Sequence, residues 1–489
     1  MTVSAITLPR PRHPSRWAAL ALIVAAQFMV VLDVSIVNVA LATIKGDLGF
    51  SEAALQWVIT AYAIVFGGFL LLGGRLADLL GRRRIFIAGI ALFTVGSALS
   101  GLSWSAASLV AFRGIQGLGG AMFAPAGLSL LMSSFPDGRE RNTALGIWGA
   151  ASGAGGAVGV LLGGVLTSYL SWPWIFYINV PVGLALVLLI PRYLPESRGL
   201  TTHRHFDVAG ALSVTSSLMV LVYALTSATQ HGWGSASTVA LLAAAAVLAA
   251  AFVLIERRAE SPLLPFEVFR GTTLGVAALI TVIVASLAFS QFFLLTLYLQ
   301  QVLHYSAART GVAFVAIAAS VAVVSNIAQR LVTVLGPRRV LAAGLLISAI
   351  AEGLLTQLPV HGHYLTNLLP EFLLVGIGMG LSFVSVTIAA LAGVPTRDAG
   401  IASGLVNTAR QVGGAVGLAA VTTIATIFAT HRSATESAAA ATTHGYRVAF
   451  AVLGVLALGG ALLTAAMRVR HPEREDRVEA ADGALAEAA

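Results

Sequence analysis

An aspartate, Asp33, stands in a long run of Val, Leu, Ile and Met, and an arginine, Arg113, stands in a second apolar run with Gln116 one turn later. Ionisable groups in such stretches cost about 2.5–3.5 kcal/mol each on insertion scales, and they usually mark ion or substrate paths. The chemistry open to them is reversible protonation. Burial favours the neutral form of an acid and a nearby cation the charged form, so making or breaking one contact can move a proton. The plainer alternatives are a polar residue that packs two helices and a fixed ion pair. Asp33 falls sixteen residues into the run 17–39, and Arg113 falls six into the run 107–132. If the two runs cross in opposite directions as neighbours, the two groups meet at comparable depth.

A second group lies further along the chain. Asn407, Arg410 and Gln411 are about one turn apart in the run 402–429, and Glu352 stands near the end of the run 340–357. With Gln116 they are the candidates for lining a substrate cavity. Arg410 can also extend its head group to the membrane surface, and Glu352 is placed to reach water from its end of the span. No cofactor is expected. The chain has no Cys, its His residues lie in tails, loops and span ends, and it carries neither a Walker A pattern nor a Cys/His metal cluster. Those absences also argue against an intramembrane enzyme. A ligand-sensing receptor, which usually brings a soluble output domain, has only the short polar tail 468–489 to offer.

These residues need elements to hold them. Of 489 residues, 57% are apolar and 10% are charged, against roughly 25% charged in a soluble domain. A membrane-spanning helix takes about 20 apolar residues. Fourteen apolar runs of helix length can be placed, at 17–39, 55–76, 85–103, 107–132, 143–167, 175–191, 208–228, 237–255, 273–297, 308–333, 340–357, 368–393, 402–429 and 446–467. Their continuity excludes a β-barrel, whose strands alternate. The expected class is an all-α polytopic membrane protein in the lipid bilayer.

The basic residues are 28 Arg and Lys45, and they form short clusters between the runs. That distribution gives no basic face for nucleic acid. By alternate sides, 23 fall on one side and four (Lys45, Arg309, Arg432, Arg447) on the other, with Arg113 and Arg410 inside spans. The positive-inside rule then places both termini, tails 1–16 and 468–489, in the cytoplasm. Trp104, Trp172, Trp174 and Trp233 lie in or beside the opposite loops, where an interfacial belt belongs.

The chain also repeats itself. RLADLLGRRR at 75–84 returns as RLVTVLGPRR at 330–339, an offset of 255, and GGAVG at 155–159 returns at 413–417, an offset of 258. The simplest arrangement is two six-helix halves, 17–191 and 273–467, with two inserted helices in 208–255. Parallel halves are one architecture of secondary transporters, with the substrate between them.

The residues further carry a family resemblance. LDVSIVNVALATI (32–44), GRLADLLGRRR (74–84), RGIQGLGGA (113–121) and the glycine-rich stretch 149–164 resemble signature motifs of the major facilitator superfamily. WPWIFYINVPVG (172–183) and LVNTARQVGGAVG (405–417) resemble its fourteen-span drug:proton antiporters.

The resemblance implies proton coupling at Asp33 and Arg113. It implies a conformational latch at Gly74, Asp78, Gly81 and Arg82, although positive-inside topology explains part of the arginine cluster. In the second copy Thr333 replaces Asp78, so only the first half is expected to latch. Gly155, Gly159 and Gly163, with a second ridge of Gly149 and Gly153, are expected to allow close helix packing. Where exporters of this kind usually carry Pro after the central glycine, this chain has Val160, which removes an expected kink and weakens the inference of direction.

The expected function is export of hydrophobic drugs or antibiotics, cationic ones among them, from a bacterial cytoplasm across the cytoplasmic membrane. The chain would act as a monomer, driven by protons and with no nucleic-acid partner. The second reading is a proton-coupled or uniport carrier of one small metabolite.

Overall fold

The computed structural model describes residues 16–135, 139–196, 207–259, 273–392, 399–433 and 435–467. The expected tails fall outside these, apart from Arg16, as do the side chain of Asp78 and the surroundings of Gly149 and Gly153. The described residues form helices and no strand. In chain order these are α1 (Arg16–Leu48), α2 (Glu52–Leu55), α3 (Trp57–Leu80), α4 (Arg82–Gly101), α5 (Ala106–Ser134) and α6 (Arg139–Tyr169). They continue as α7 (Trp174–Tyr177), α8 (Asn179–Tyr193), α9 (Val208–His231), α10 (Ala236–Arg258), α11 (Leu274–Leu297) and α12 (Ala307–Leu335). The last are α13 (Pro337–Leu355), α14 (Tyr364–Asn367), α15 (Leu369–Leu391), α16 (Ala399–Arg432) and α17 (Ala438–Leu463).

Each of the fourteen apolar runs overlaps a helix of fifteen residues or more, with 55–76 beginning in α2 and 175–191 shared between α7 and α8. Among the described residues, ten helices are long and apolar enough to cross a membrane. Helices suit this solvent because they satisfy their backbone groups internally. Large apolar side chains such as Leu188, Val334 and Leu462 face outward, as in a bundle whose surroundings are lipid.

Two boundaries differ from expectation. The first helix runs on from residue 39 to Leu48, because Val39–Ile44 carry no charge and only Thr43 among them is polar, charge arriving at Lys45 and Asp47. The last begins at Ala438 rather than 446. The Ser437 hydroxyl caps it, and the alanine run behind the cap is a strong helix former.

Helix pairing repeats along the chain. α1 packs on α6 as α11 packs on α16; α3 and α4 pack on α5 as α12 and α13 pack on α15; α4 meets α8 as α13 meets α17. The two sets join reciprocally, α3 against α16 and α6 against α12, with α9 lying on α3 and α16 and α10 on α9. Hydrogen bonds that cross the junction among the described residues include Gln300 Nε2 to the Val39 carbonyl (2.8 Å), the Ala308 N–H to Ser168 Oγ (3.0 Å), and Thr408 Oγ1 to the Gly67 carbonyl (3.2 Å). The first two lie toward the end of the bundle that carries Trp104, Trp172, Trp174 and Trp233, here the tryptophan end; the third lies at mid-depth. The opposite, arginine-rich end carries Arg82–Arg84 and Arg338–Arg339.

Candidate functional site

Arg113 and Gln116 are three residues apart on α5 and share a face. Glycines bring neighbouring helices onto that face. A Cβ at Gly117 would sit 2.6 Å from the Tyr62 carbonyl of α3, and one at Gly96 of α4 would sit 2.8 Å from the Gln116 amide nitrogen. On α6, a Cβ at Gly163 would sit 2.7 Å from the Ile36 carbonyl of α1. The glycine-rich motifs therefore work by omission, letting backbones approach until α1, α3, α4, α5 and α8 share one polar centre.

At that centre Arg113 Nη1 donates to Asp33 Oδ2 at 2.7 Å and to Gln116 Oε1 at 2.6 Å. Arg113 Nε donates to the Val58 carbonyl at 3.0 Å, and its guanidinium lies 4.5 Å from the centre of the Tyr62 ring, a cation–π contact. Asp33 Oδ1 accepts from Gln116 Nε2 (2.7 Å) and Asn179 Nδ2 (3.0 Å). Both amides also donate to Ser97 Oγ, which donates onward to the Phe176 carbonyl at 2.9 Å. Asp33 and Gln116 are fully buried and Arg113 is 1% exposed. Every partner of the acid is an N–H donor, the pattern that suits an ionised carboxylate. In so dry a place the network is strong while complete and costly when one member is lost.

The structure thus brings Asp33, Arg113 and Gln116 together, and adds Ser97, Asn179 and Tyr62, which sequence reasoning missed. Asn179 carried a signal, as the only amide in WPWIFYINVPVG; Ser97 looked no different from Ser100 in the same run.

The other cavity candidates do not join this network. Gln411 packs on the Gly67 backbone, where its Cβ lies 2.7 Å from the place of a Gly67 Cβ. Asn407 is half-buried on the preceding turn. Arg410 packs its guanidinium toward the Phe383 ring, 5.6 Å from its centre, with Nε buried and without an acceptor. Glu352 corrects the expectation that it reaches water. It is fully buried, accepts a hydrogen bond from Gln291 Nε2 of α11, and is covered by α17 at Gly454. The position near the end of α13 misleads because the chain folds back over it, with Leu358 buried beyond the helix end.

At the arginine-rich end Gly74 packs beside Pro125, and Gly81 joins α3 to α4 at φ +112°. Arg82 follows, half-buried. An unforeseen acid completes the turn. Glu196, beyond α8, accepts the Arg83 N–H at 3.0 Å and lies 3.7 Å from both Arg83 Nε and Arg84 Nε. A carboxylate suits a helix amino terminus.

A Cβ at Gly81 would also sit 2.8 Å from Glu196 Oε1. Gly81→Ala is therefore expected to cost about 1–3 kcal/mol, read as a lower thermal midpoint of the purified protein. Gly336→Ala, at φ +82° with open space around it, should lose less. Equal losses would show that the Glu196 contact contributes nothing.

Compared with known proteins, residues 23–418 match the model of the Major Facilitator Superfamily. The chain is 42% identical over 477 residues to a puromycin resistance protein of Streptomyces alboniger, covering 96% of this chain and 93% of that one. It is 39% identical over 449 residues to a cephamycin export protein of Amycolatopsis lactamdurans, covering 91% of each. Its fold is that of a bacterial homolog of the human lysosomal transporter Spinster, crystallised inward-facing and unoccupied. The TM-score is 0.68 at 16% identity, over 93% of this chain and 97% of that one.

Proposed function

This chain belongs to the Major Facilitator Superfamily, and on that premise we propose that it exports antibiotics and related hydrophobic compounds, cations among them, in exchange for protons. It is a multi-pass membrane transporter and not an enzyme. The observation that carries the proposal is the buried Asp33–Arg113 pair at 2.7 Å, a pair of opposite charges within hydrogen-bond reach in the interior of an apolar bundle. The functions for which the relatives are named, puromycin resistance and cephamycin export, support the substrate class.

A proton reaching Asp33 from outside removes the charge that Arg113, Gln116 and Asn179 share. The donors then let go, and the helices they tie can move. Loss of the proton toward the cytoplasm rebuilds the network and the substrate-binding state. The moving parts are the six-helix halves 17–191 and 273–467, rocking about a site between them. Residues 208–255 add two peripheral spans, for fourteen in all. The arginine-rich end faces the cytoplasm of a bacterial cell, so this conformation, joined at the tryptophan end, is the one closed to the outside. The molecule works as a monomer.

Inside-out vesicles with an acidic lumen and a fluorescent pH dye test this directly. Puromycin, a cephamycin and a set of lipophilic cations are added in turn. Proton efflux is expected with some of them and not in vesicles lacking the protein. Silence with every compound, despite verified insertion, would favour a carrier of one metabolite.

A further inference from the structure

The two halves can be aligned by their packing, without reference to sequence identity. Gly81 and Gly336 each end a helix at positive φ, and Gly89 packs on α5 as Gly344 packs on α15; 81 to 336 and 89 to 344 are both offsets of 255. The same register carries Ser97 to Glu352. Gly119 packs on the Phe93 nitrogen and Gly89 carbonyl as Gly378 packs on the Ser348 nitrogen and Gly344 carbonyl, an offset of 259. It carries Arg113 to Phe372 and Gln116 to Val375. Ser35 donates to the Gly155 carbonyl as Ser286 donates to the Gly413 carbonyl. That offset of 251 carries Asp33 to Val284. The second half has lost the aspartate, arginine and glutamine of the first, and carries a carboxyl group where the first has a hydroxyl.

We propose that Glu352, paired with Gln291, is a second proton-binding group of the transport cycle, and that the tryptophan end closes only when it is protonated. The inference rests on the proton-coupled reading above.

Glu352 is fully buried, and among the described residues its one hydrogen-bond partner is Gln291 Nε2. Two atoms are left over, Glu352 Oε2 and Gln291 Oε1, both buried and both without a partner. A proton on Oε2 supplies the hydrogen that Gln291 Oε1 can accept, and the pair becomes the doubly bonded ring of a carboxylic acid with a primary amide. Without it, an ionised carboxylate stands in apolar surroundings with no counter-charge, an arrangement that proteins avoid. Among the described residues, no ionisable group on the surrounding helices forms a hydrogen bond or ion pair with Glu352. Arg447 of α17 gives its Nε and Nη2 donors to the Leu358 carbonyl, and Tyr298 donates to the Pro359 carbonyl. Glu371 of α15, Tyr446 and His444 of α17, and Arg309 and Arg330 of α12 are on the neighbouring helices, Arg338 and Arg339 on α13 itself, and Arg410, His431 and Arg432 on α16, which packs on α11.

The pair is mechanically linked to closure. α11 holds Gln291, passes into a π turn at Tyr298–Val302, and there presents Gln300, which donates to Val39 of α1 across the halves. π turns recur at functional sites because they re-aim the side chains that follow. Loss of the proton leaves Glu352 Oε2 opposed to Gln291 Oε1, two acceptors with no hydrogen between them, and their separation shifts α11 and withdraws Gln300. No covalent bond changes. One proton passes between outside water and Oε2 each time the end opens.

The chain has no native cysteine, so a single one reports opening cleanly. Val39 is fully buried here, and Val39→Cys should react with a membrane-impermeant maleimide only when the tryptophan end opens. Labelling is expected to rise several-fold as the external pH rises, and to stay low and flat in Glu352→Gln, which mimics the protonated acid. Glu352→Met, suited to the apolar surroundings, should do the same if Glu352→Gln misfolds; Glu352→Asp should restore the pH dependence. Labelling independent of pH in the parent, or equally dependent on it without Glu352, overturns the inference. This readout needs no substrate. A failure of proton antiport appears separately, as absent proton efflux in the vesicle assay.

Discussion

Asp33→Asn is expected to reach the membrane, to bind nothing productively, and to show no substrate-driven proton efflux above background. The loss follows from geometry. Asn keeps the size of the side chain but presents a single acceptor oxygen and no charge to Arg113, Gln116 and Asn179, all of which donate to Asp33. It also leaves the Arg113 guanidinium, 1% exposed, without its counter-ion. Removing one partner of a buried pair costs about 3–5 kcal/mol, so the variant should also melt earlier than the parent.

A second variant separates stability from coupling. Asp33→Asn combined with Arg113→Gln removes both charges, and it should recover most of the lost thermal stability while remaining inactive. If Asp33→Asn retained wild-type proton flux, Asp33 would be a packing residue and the pair a structural clamp. If the double variant regained transport, the proton would be carried elsewhere.

Gly159→Leu is expected to abolish export through packing alone. A Cβ at Gly159 would collide with Ser35 Oγ and lie 2.7 Å from the Leu32 carbonyl, so any side chain drives α1 from α6. Overpacking of this kind costs about 1–3 kcal/mol. The larger consequence is displacement, because Leu32 precedes Asp33 and the carboxylate must meet donors from α5 and α8. Gly156, on the same helix, has open space around it. Gly156→Ala should change stability by no more than about 0.5 kcal/mol and leave export intact. Antibiotic tolerance of cells carrying each variant, with membrane levels measured in parallel, checks the contrast. Wild-type tolerance from Gly159→Leu would show that the close approach is dispensable. Val160 beside it does not open this contact: its side chain is buried, and its carbonyl faces the place of a Cβ at Gly311 of α12.

Much of the fold was legible because membrane spans are written in composition. A bilayer demands long apolar runs and internal satisfaction of the backbone, so the apolar runs could be located and the described residues then found to be helical there, ten of the helices long and apolar enough to cross a membrane. The duplication was legible from short repeats, and helix pairing follows it. Asp33 and Arg113 stood out because a charge in an apolar run has few explanations.

The rest depended on direction. Arg410 and Glu352 lie in apolar runs much as Asp33 does, yet one packs toward Phe383 and the other is sealed behind α17 against Gln291. Nothing in one-dimensional spacing says which face of a long apolar helix meets protein and which meets lipid, because both are equally greasy. Ser97 and Asn179 entered the network through glycines that let helices close in. Glu196 reached α4 from beyond α8, 113 residues away in the chain. The amino-acid order accordingly prescribed the class, the spans and the charged pair, since those follow from the cost of placing each residue in a bilayer. Which polar groups complete the site, and which stay apart, was settled by three-dimensional packing, since hydrogen bonds between helices depend on rotation and approach, and the chain's apolar periodicity encodes neither.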